Sequence, residues 1–347
     1  MRIVIVGGGM VGLTLARLLR AEGEDPVVLE RMPAGGYQRR PFLLGFQGFP
    51  TLEELGLMER VRAEGWDIAP GSDGQPVAVC IEVGRLLAAL GEGVPVRHER
   101  SVTDLLRDGD RVAGVVAEGP DGPEEIAADL VVACDGVGSP VRAMAGLEAE
   151  VSALADATLA FMSPVVIDRS FGMRYLSDGG QMGLLGWPQG SAGWRTIDRV
   201  GREAALAPGV EAFRRSFAAL MPEAAPALEG VTSADQLLYQ EPAVLRAALW
   251  WAPGVVLIGD SAHFFGPETG VGAGLGLGDA HALARAIAGN RDDPDAACAL
   301  YEAWRAPVIR PYEAADPAAG RMAVPNVDRP PEERWPPVSS PPGEDPA

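Results

Sequence analysis

The residues best suited to chemistry fall in three glycine-marked segments: Gly7-Gly8-Gly9-Met10-Val11-Gly12, Cys134-Asp135-Gly136-Val137-Gly138-Ser139 and Gly259-Asp260-Ser261-Ala262-His263. The first stands directly after the apolar run Ile3-Val4-Ile5-Val6 and before a segment with Val11, Leu15, Leu18 and Leu19 on one face. It reads as strand, tight turn and helix. In such a turn Gly7 permits the bend, Gly9 lets the backbone approach a pyrophosphate, and Gly12 lets the helix lie close to the sheet. The free N–H groups that open the helix face the phosphate charge. Glu30 ends the second apolar run, Val27-Val28-Leu29. That is roughly the 20-residue offset at which an acid accepts a hydrogen bond from a ribose hydroxyl. The unit binds a dinucleotide, and by itself it does not choose between NAD and FAD, which share adenosine, ribose and pyrophosphate.

The later segments add Glu30-Arg31, Asp135-Gly136-x-Gly138-Ser139-x-Val141-Arg142, and Gly259-Asp260-Ser261-Ala262-His263 followed by Pro267-x-x-Gly270-x-Gly272 and Asp279-Ala280. In this order the motifs resemble the single-component aromatic hydroxylases of the p-hydroxybenzoate hydroxylase type, the class A flavoprotein monooxygenases, from Met1 to about Tyr312. The resemblance implies an α/β fold: a Rossmann-like, three-layer FAD-binding domain with a parallel sheet, and an inserted, mainly antiparallel β-sheet substrate domain. It also implies FAD as cofactor and NADH or NADPH as a transient reductant. In that family the first motif holds the ADP half of FAD, the middle Asp-Gly segment lies near the pyrophosphate and the nicotinamide cofactor, and the late Gly-Asp contacts the ribityl chain. Asp260 inherits that last role. Carried onto matching positions, the implied cofactor-binding set is Gly7, Gly9, Met10, Val11, Gly12, Glu30, Arg31, Arg40, Arg85, Val102, Asp135, Gly136, Gly259, Asp260, Pro267, Gly270, Gly272 and Ala273.

The late segment makes sense chemically without the family. Val255-Val256-Leu257-Ile258 is a short buried-strand run that ends in Gly-Asp. It leaves a carboxylate at a carboxyl strand end, where open α/β sheets bind ligands and where ribityl hydroxyls would find an acceptor. Five glycines from Gly270 to Gly278 precede a helical pattern of Leu283, Ala284 and Ile287, so peptide N–H groups can approach a planar ring. A helix N-terminus at the pyrimidine edge of a flavin would stabilise the reduced, negative ring by about 0.3 to 2 kcal/mol.

Two positions depart from the family pattern. Gly274 stands where the family commonly has an Asn, and Val83 where it tends to carry an Arg ahead of a Leu-rich helix, with Arg85 two residues on. Arg39 and Arg40 fall where the family's mobile segment approaches the flavin, although an Arg pair in a loop is more often solvated surface.

A chain of 347 residues exceeds what one core usually serves, and two lobes are expected. The organisation reads as a first part of the FAD-binding domain over 1–155, a β-sheet substrate domain over 156–245, a second part of the FAD-binding domain with a C-terminal helix over 246–316, and a flexible Pro-rich tail over 317–347. In the second of these, short alternating strands are expected at Leu159 to Ile167, Met173 to Leu176, Gln181 to Gly186 and Ala192 to Ile197. Phe161, Met173, Tyr175, Met182, Leu184 and Trp194 are pocket candidates there, with ordinary core packing the stronger reading for each.

Composition excludes several classes. A net charge of -19 makes nucleic acid and anionic membranes poor partners. No 18-residue apolar span or signal peptide is evident, so a cytoplasmic location is expected. Cys80, Cys134 and Cys298 are too scattered for a disulfide framework, and His98, His263 and His281 have no metal-ligand spacing, so no metal is expected. The chain has no lysine, which removes Schiff-base chemistry and the lysine on which flavin halogenases rely. Asp260, Ser261 and His263 lack the G-x-S-x-G elbow of a hydrolase.

The expected function is therefore that of an FAD-dependent monooxygenase. It would use NAD(P)H and O2 to hydroxylate an aromatic or other electron-rich small molecule through a flavin hydroperoxide, in a role that suits secondary metabolism. A reductase or dehydrogenase of the same fold, an epoxidase or Baeyer-Villiger-type oxygenase, and a catalytically inactive flavin-binding scaffold stay open. For a general base acting on a phenolic substrate, Asp168, Asp178 and Arg174 are equally arguable, and none is chosen. The substrate itself and the oligomeric state do not follow from the sequence.

Overall fold

The computed structural model describes residues 1–36, 41–70, 76–167, 172–177, 180–266 and 270–314. Arg39, Arg40, Pro267, Asp168, Asp178 and the 317–347 tail lie outside these, as do the side chains of Met173 and Tyr175.

The apolar runs at the start of the chain become neighbouring strands. Ile3–Val6 lies between Val27–Glu30 and Leu130–Ala133, Leu130–Ala133 pairs with Val255–Leu257, and Val27–Glu30 pairs with Val96–His98, every pair parallel. Trp251–Ala252 closes the Val255 edge in antiparallel sense. Ile3–Val6 and Leu130–Ala133 are buried at every residue, as strands covered on both faces must be. Their alternate side chains need two partners. The helices Met10–Ala21, Gly272–Gly289 and Pro294–Ala314 supply Leu15, Leu19, Leu283, Ile287 and Tyr301 to the same core as Val102, Leu105, Val112 and Val115, which come from an antiparallel meander of Ser101–Asp108, Arg111–Gly119 and Gly122–Ala127. Helices, parallel sheet and meander form three layers, the α/β arrangement expected.

The second sheet is antiparallel throughout, in the order Gly172–Tyr175, Gln181–Trp187, Gly190–Asp198, Asp156–Ser163 and Leu237–Gln240. The expected strands fall within a few residues of those observed, except that the first ends at Ser163 and not at Ile167. The alternation did not foresee the helices Gly209–Leu220 and Ala225–Glu229, which cover one face of the sheet. Phe161, Met182 and Leu184 point to those helices, and Phe161 stacks edge-on against Phe217 with ring centroids 5.2 Å apart. They are core residues. The opposite face brings Leu185 and Trp187 onto Ile68, Ala78 and Cys80 of a small antiparallel sheet formed by Pro41–Gly45, Pro76–Glu82 and Trp66–Pro70.

A further difference concerns the late glycines. Of the five between Gly270 and Gly278, only Gly270 precedes the helix, which begins at Gly272 and takes in the other four. Close packing is the reason. A Cβ on Gly276 would lie 2.7 Å from Val11 Cγ2, and one on Gly274 2.8 Å from Gln47 Cβ. Each is far inside van der Waals contact, so the helix can lie where it does only with glycine on that face.

Candidate cofactor site

Because four neighbouring strands run parallel, their carboxyl ends share one edge of the sheet. That edge carries, in spatial order, Gly259-Asp260, Asp135-Gly136, Gly7 to Gly12, and Glu30. The three segments, separated by more than a hundred residues each, thus meet at the place where open parallel sheets take ligands.

The first turn is shaped by two contacts. Gly7 has φ +114°, a conformation that side chains rarely adopt, and a Cβ on Gly12 would overlap the Gly7 carbonyl oxygen. Gly9 is different: among the described residues a Cβ there would meet nothing within 4 Å, so none of them requires glycine at that position. Gly9 also caps the Met10–Ala21 helix, which has no side-chain cap and no acid in its first turn. Its opening N–H groups are therefore available to an anion. Glu30 is buried, and its carboxylate accepts hydrogen bonds from the Gly8 N–H (2.7 Å) and the Met32 N–H (2.8 Å). These bonds hold it against the turn.

The middle and late segments are tied by Ser261. Its hydroxyl donates to Asp135 Oδ1 (2.9 Å) and accepts from the Gly136 N–H (3.0 Å), and its carbonyl accepts from Arg142 Nη1 (2.9 Å). Burial raises the pKa of the Asp135 acid, although hydrogen bonds from Ser139 and Ser261 oppose the shift. Gly259 sits at φ +60° and, like Gly276, packs on Val11. Asp260 follows, half-buried, with its carboxylate beside Gly272. Among the described residues no hydrogen bond or ion pair reaches it. Burial pushes its acid up to about 6, with Asp279 adding to the rise and His263 opposing it.

Beneath this edge lies a polar network built on two motif residues, Asp279 and His263, and one residue from outside the motifs, Arg305. Asp279 is fully buried in the Gly272–Gly289 helix; it accepts the Gly259 N–H at 3.0 Å, lies 2.6 Å from His263 Nε2, and accepts from Arg305 Nε at 2.6 Å. Burial alone would raise this acid, but His263 and Arg305 outweigh it and bring it down to about 2. Arg305 belongs to no glycine motif, and only the packing of the Pro294–Ala314 helix brings it here.

The remaining expected residues divide. Met10, Val11, Gly272 and Ala273 stand at the two helix starts that flank the edge, and Arg31 is exposed just beyond Glu30. Val102 has its side chain in the main core. Arg85 is set apart. Its guanidinium turns to Glu64 at 3.7 Å in a cleft that Glu82, Trp187 and Gln189 also line, while Val83, at the family's Arg position, is buried among Leu86, Leu87 and Leu90. The helix start therefore directs Arg85 toward the second sheet and not toward the glycine turns. Arg40 and Pro267 fall outside the described residues.

An elongated, pyrophosphate-bearing dinucleotide fits these features. A capless helix start opening at Gly9 suits the phosphates, Glu30 suits a ribose, and the Asp260 carboxylate, without a partner among the described residues, suits a polyol hydroxyl. The FAD binding domain family model matches residues 1–70 and 82–314, and the chain belongs to that family. This is the flavoprotein class to which the order of the motifs pointed. The chain is 27% identical to rifampicin monooxygenase of Streptomyces venezuelae over 88% of its length and 68% of the relative's. It is 26% identical to 6-methylpretetramide 4-monooxygenase of Streptomyces rimosus over 80% of its length and 73% of the relative's. Among solved structures, tetracycline destructase Tet(55) superimposes with a TM-score of 0.72 at 18% identity, covering 93% of this chain and 89% of that one. The fold is therefore shared well beyond the reach of sequence identity.

Proposed function

We propose that the chain is an FAD-dependent monooxygenase that uses NADH or NADPH and O2 to place one oxygen atom on an aromatic or similarly electron-rich organic molecule. The observation that carries the reading is the convergence of Glu30, the Gly7–Gly12 turn, Asp135-Gly136 and the Asp260 carboxylate on one sheet edge. Bound FAD, once reduced by the nicotinamide, would supply the chemistry that activates oxygen. The chain's own residues bind and orient. The Gly9 helix start would meet the pyrophosphate, Glu30 the adenosine ribose, and Asp260 the ribityl hydroxyls, while the Ser261 bridge keeps the middle and late segments in register.

The substrate would lie between the second sheet and the Pro41–Gly45 strand. Leu43, Trp66, Ala192 and Trp194 border the apolar cluster there, which suits a flat, apolar ring and excludes water from the reacting atoms. The names of the relatives, rifampicin monooxygenase and 6-methylpretetramide 4-monooxygenase, support a secondary metabolite as substrate, and the need for NADH or NADPH would suit a cytoplasmic setting.

The test is to load the purified chain with FAD and follow NAD(P)H oxidation, O2 uptake and product mass across a panel of phenols and polycyclic aromatics. A product heavier by one oxygen, formed in step with NAD(P)H consumed, is the expected result. Substrate oxidation without O2 uptake would replace this reading with hydride transfer in the same fold.

A further inference from the structure

The short turn Phe46–Gly48 joins the Pro41–Gly45 strand to the helix Phe49–Glu54 and carries Gln47, which is 6% exposed. Its Oε1 is buried without a hydrogen-bond partner among the described residues. A buried amide oxygen left unpaired costs about 1 to 3 kcal/mol, and folded chains rarely keep one without a reason. The position of that atom is specific. A Cβ on Gly45 would overlap Oε1 and lie 3.2 Å from the Gly270 carbonyl oxygen, and the space next to Gly274 is filled by Gln47 Cβ at 2.8 Å and the Gly48 nitrogen at 2.9 Å. Oε1 therefore stands at the start of the Gly272–Gly289 helix. That 18-residue helix has neither a side-chain cap nor an acid in its first turn. The carboxamide also faces the Tyr312 hydroxyl of the Pro294–Ala314 helix, whose pKa it acts to lower against the rise that burial causes.

Two complementary groups thus adjoin: backbone N–H donors at a helix start and one fixed side-chain acceptor. The pyrimidine edge of a flavin offers an imide N–H between two carbonyl oxygens, which is the matching pattern of donor and acceptors. We propose that Gln47 is a cofactor-ring contact, its Oε1 accepting the imide N–H of the flavin, and that it serves this chain in place of any side chain at position 274. This assignment rests on the FAD reading above and adds a residue that no glycine motif contains.

The experiment compares wild-type chain, Gln47→Leu, Gln47→Met and Gln47→Glu by FAD titration, by ADP titration and by thermal melting of the apoprotein. ADP shares the phosphates and adenosine but lacks the ring. Loss of one ring hydrogen bond predicts that Leu and Met weaken FAD roughly five- to tenfold, leave ADP affinity unchanged and shift the visible flavin bands. Glu keeps an acceptor and should bind FAD within about twofold of wild type. The apoprotein melting point should hold or rise in the Leu and Met variants, because an unpaired polar atom is removed. Equal FAD affinity in all four chains would overturn the assignment, as would FAD and ADP weakening together. A fall in melting point matched by Tyr312→Phe, with the FAD to ADP ratio unchanged, would make Gln47 a structural residue only. A wild-type chain that binds ADP but not FAD would overturn the flavin reading itself.

Discussion

Asp279 accepts the backbone N–H of Gly259 at 3.0 Å from a helix twenty residues further along the chain. The bond fixes the turn that presents Asp260, while Asp279's other oxygen is held by Arg305 at 2.6 Å, with both side chains buried. The shape of the cofactor edge is thus set from below by an ion pair that never reaches it.

Breaking that pair should cost more stability than an ordinary surface change. Asp279→Ala strands the Arg305 guanidinium in the core, and the expected loss is about 3 to 5 kcal/mol of stability. Urea unfolding of the apoprotein measures it. A loss under 1 kcal/mol would mean that the pair is solvated and that the Gly259 turn holds itself.

Asp260 has the opposite electrostatic history. Its acid is raised to about 6 from an ordinary value of 3.8, so the folded apoprotein holds this proton more tightly than the unfolded chain does. The stability it contributes is present below about pH 4 and is lost as pH rises through 6. The gap corresponds to roughly 2 to 3 kcal/mol. Asp260→Asn should therefore stabilise the apoprotein at pH 7.5 relative to wild type and abolish that part of the pH slope, while weakening FAD at least tenfold. Melting curves from pH 4 to 8 with and without FAD check both signs. An Asn variant that is less stable when apo at pH 7.5 would mean that burial does not disfavour the Asp260 carboxylate.

Glycines in one turn should separate into two kinds. Gly12→Ala must displace the Gly7 carbonyl and is expected to destabilise the fold by more than about 2 kcal/mol. Gly9→Ala meets no atom of the described residues, so the apoprotein should melt within about 1 °C of wild type, yet its FAD affinity should fall. Circular dichroism melts paired with FAD titration distinguish the two, and equal behaviour of both variants would refute the distinction.

Arg85 should prove dispensable for the cofactor. Its ion pair is with Glu64 and its side chain is 44% exposed, so Arg85→Ala is expected to change FAD affinity by less than about twofold. A tenfold loss would return Arg85 to the cofactor set.

Much of this was legible in the sequence. The run Ile3–Val6, the glycines after it and the acid at Glu30 had to form strand, turn and strand end, because period and residue type allow little else. The same holds for Val255-Val256-Leu257 ending in Gly-Asp. Short-range patterning fixes elements, and the elements carry their terminal residues with them.

Tertiary structure alone decided the rest. The late glycines looked like a loop to be threaded past a ring, and only the close approach of Val11, Gln47 and Gly48 shows why a helix needs them. Arg305 and Gln47 carry no local signal, since a single Arg or Gln in a helix or turn is ordinary. Their burial arises where the Pro294–Ala314 helix and the Phe46–Gly48 turn close over Gly272–Gly289. Alternating polarity likewise could not say which face of the second sheet receives helices, because two buried faces read alike. Local sequence sets what each segment can be; packing between distant segments sets which polar atoms are left for a ligand.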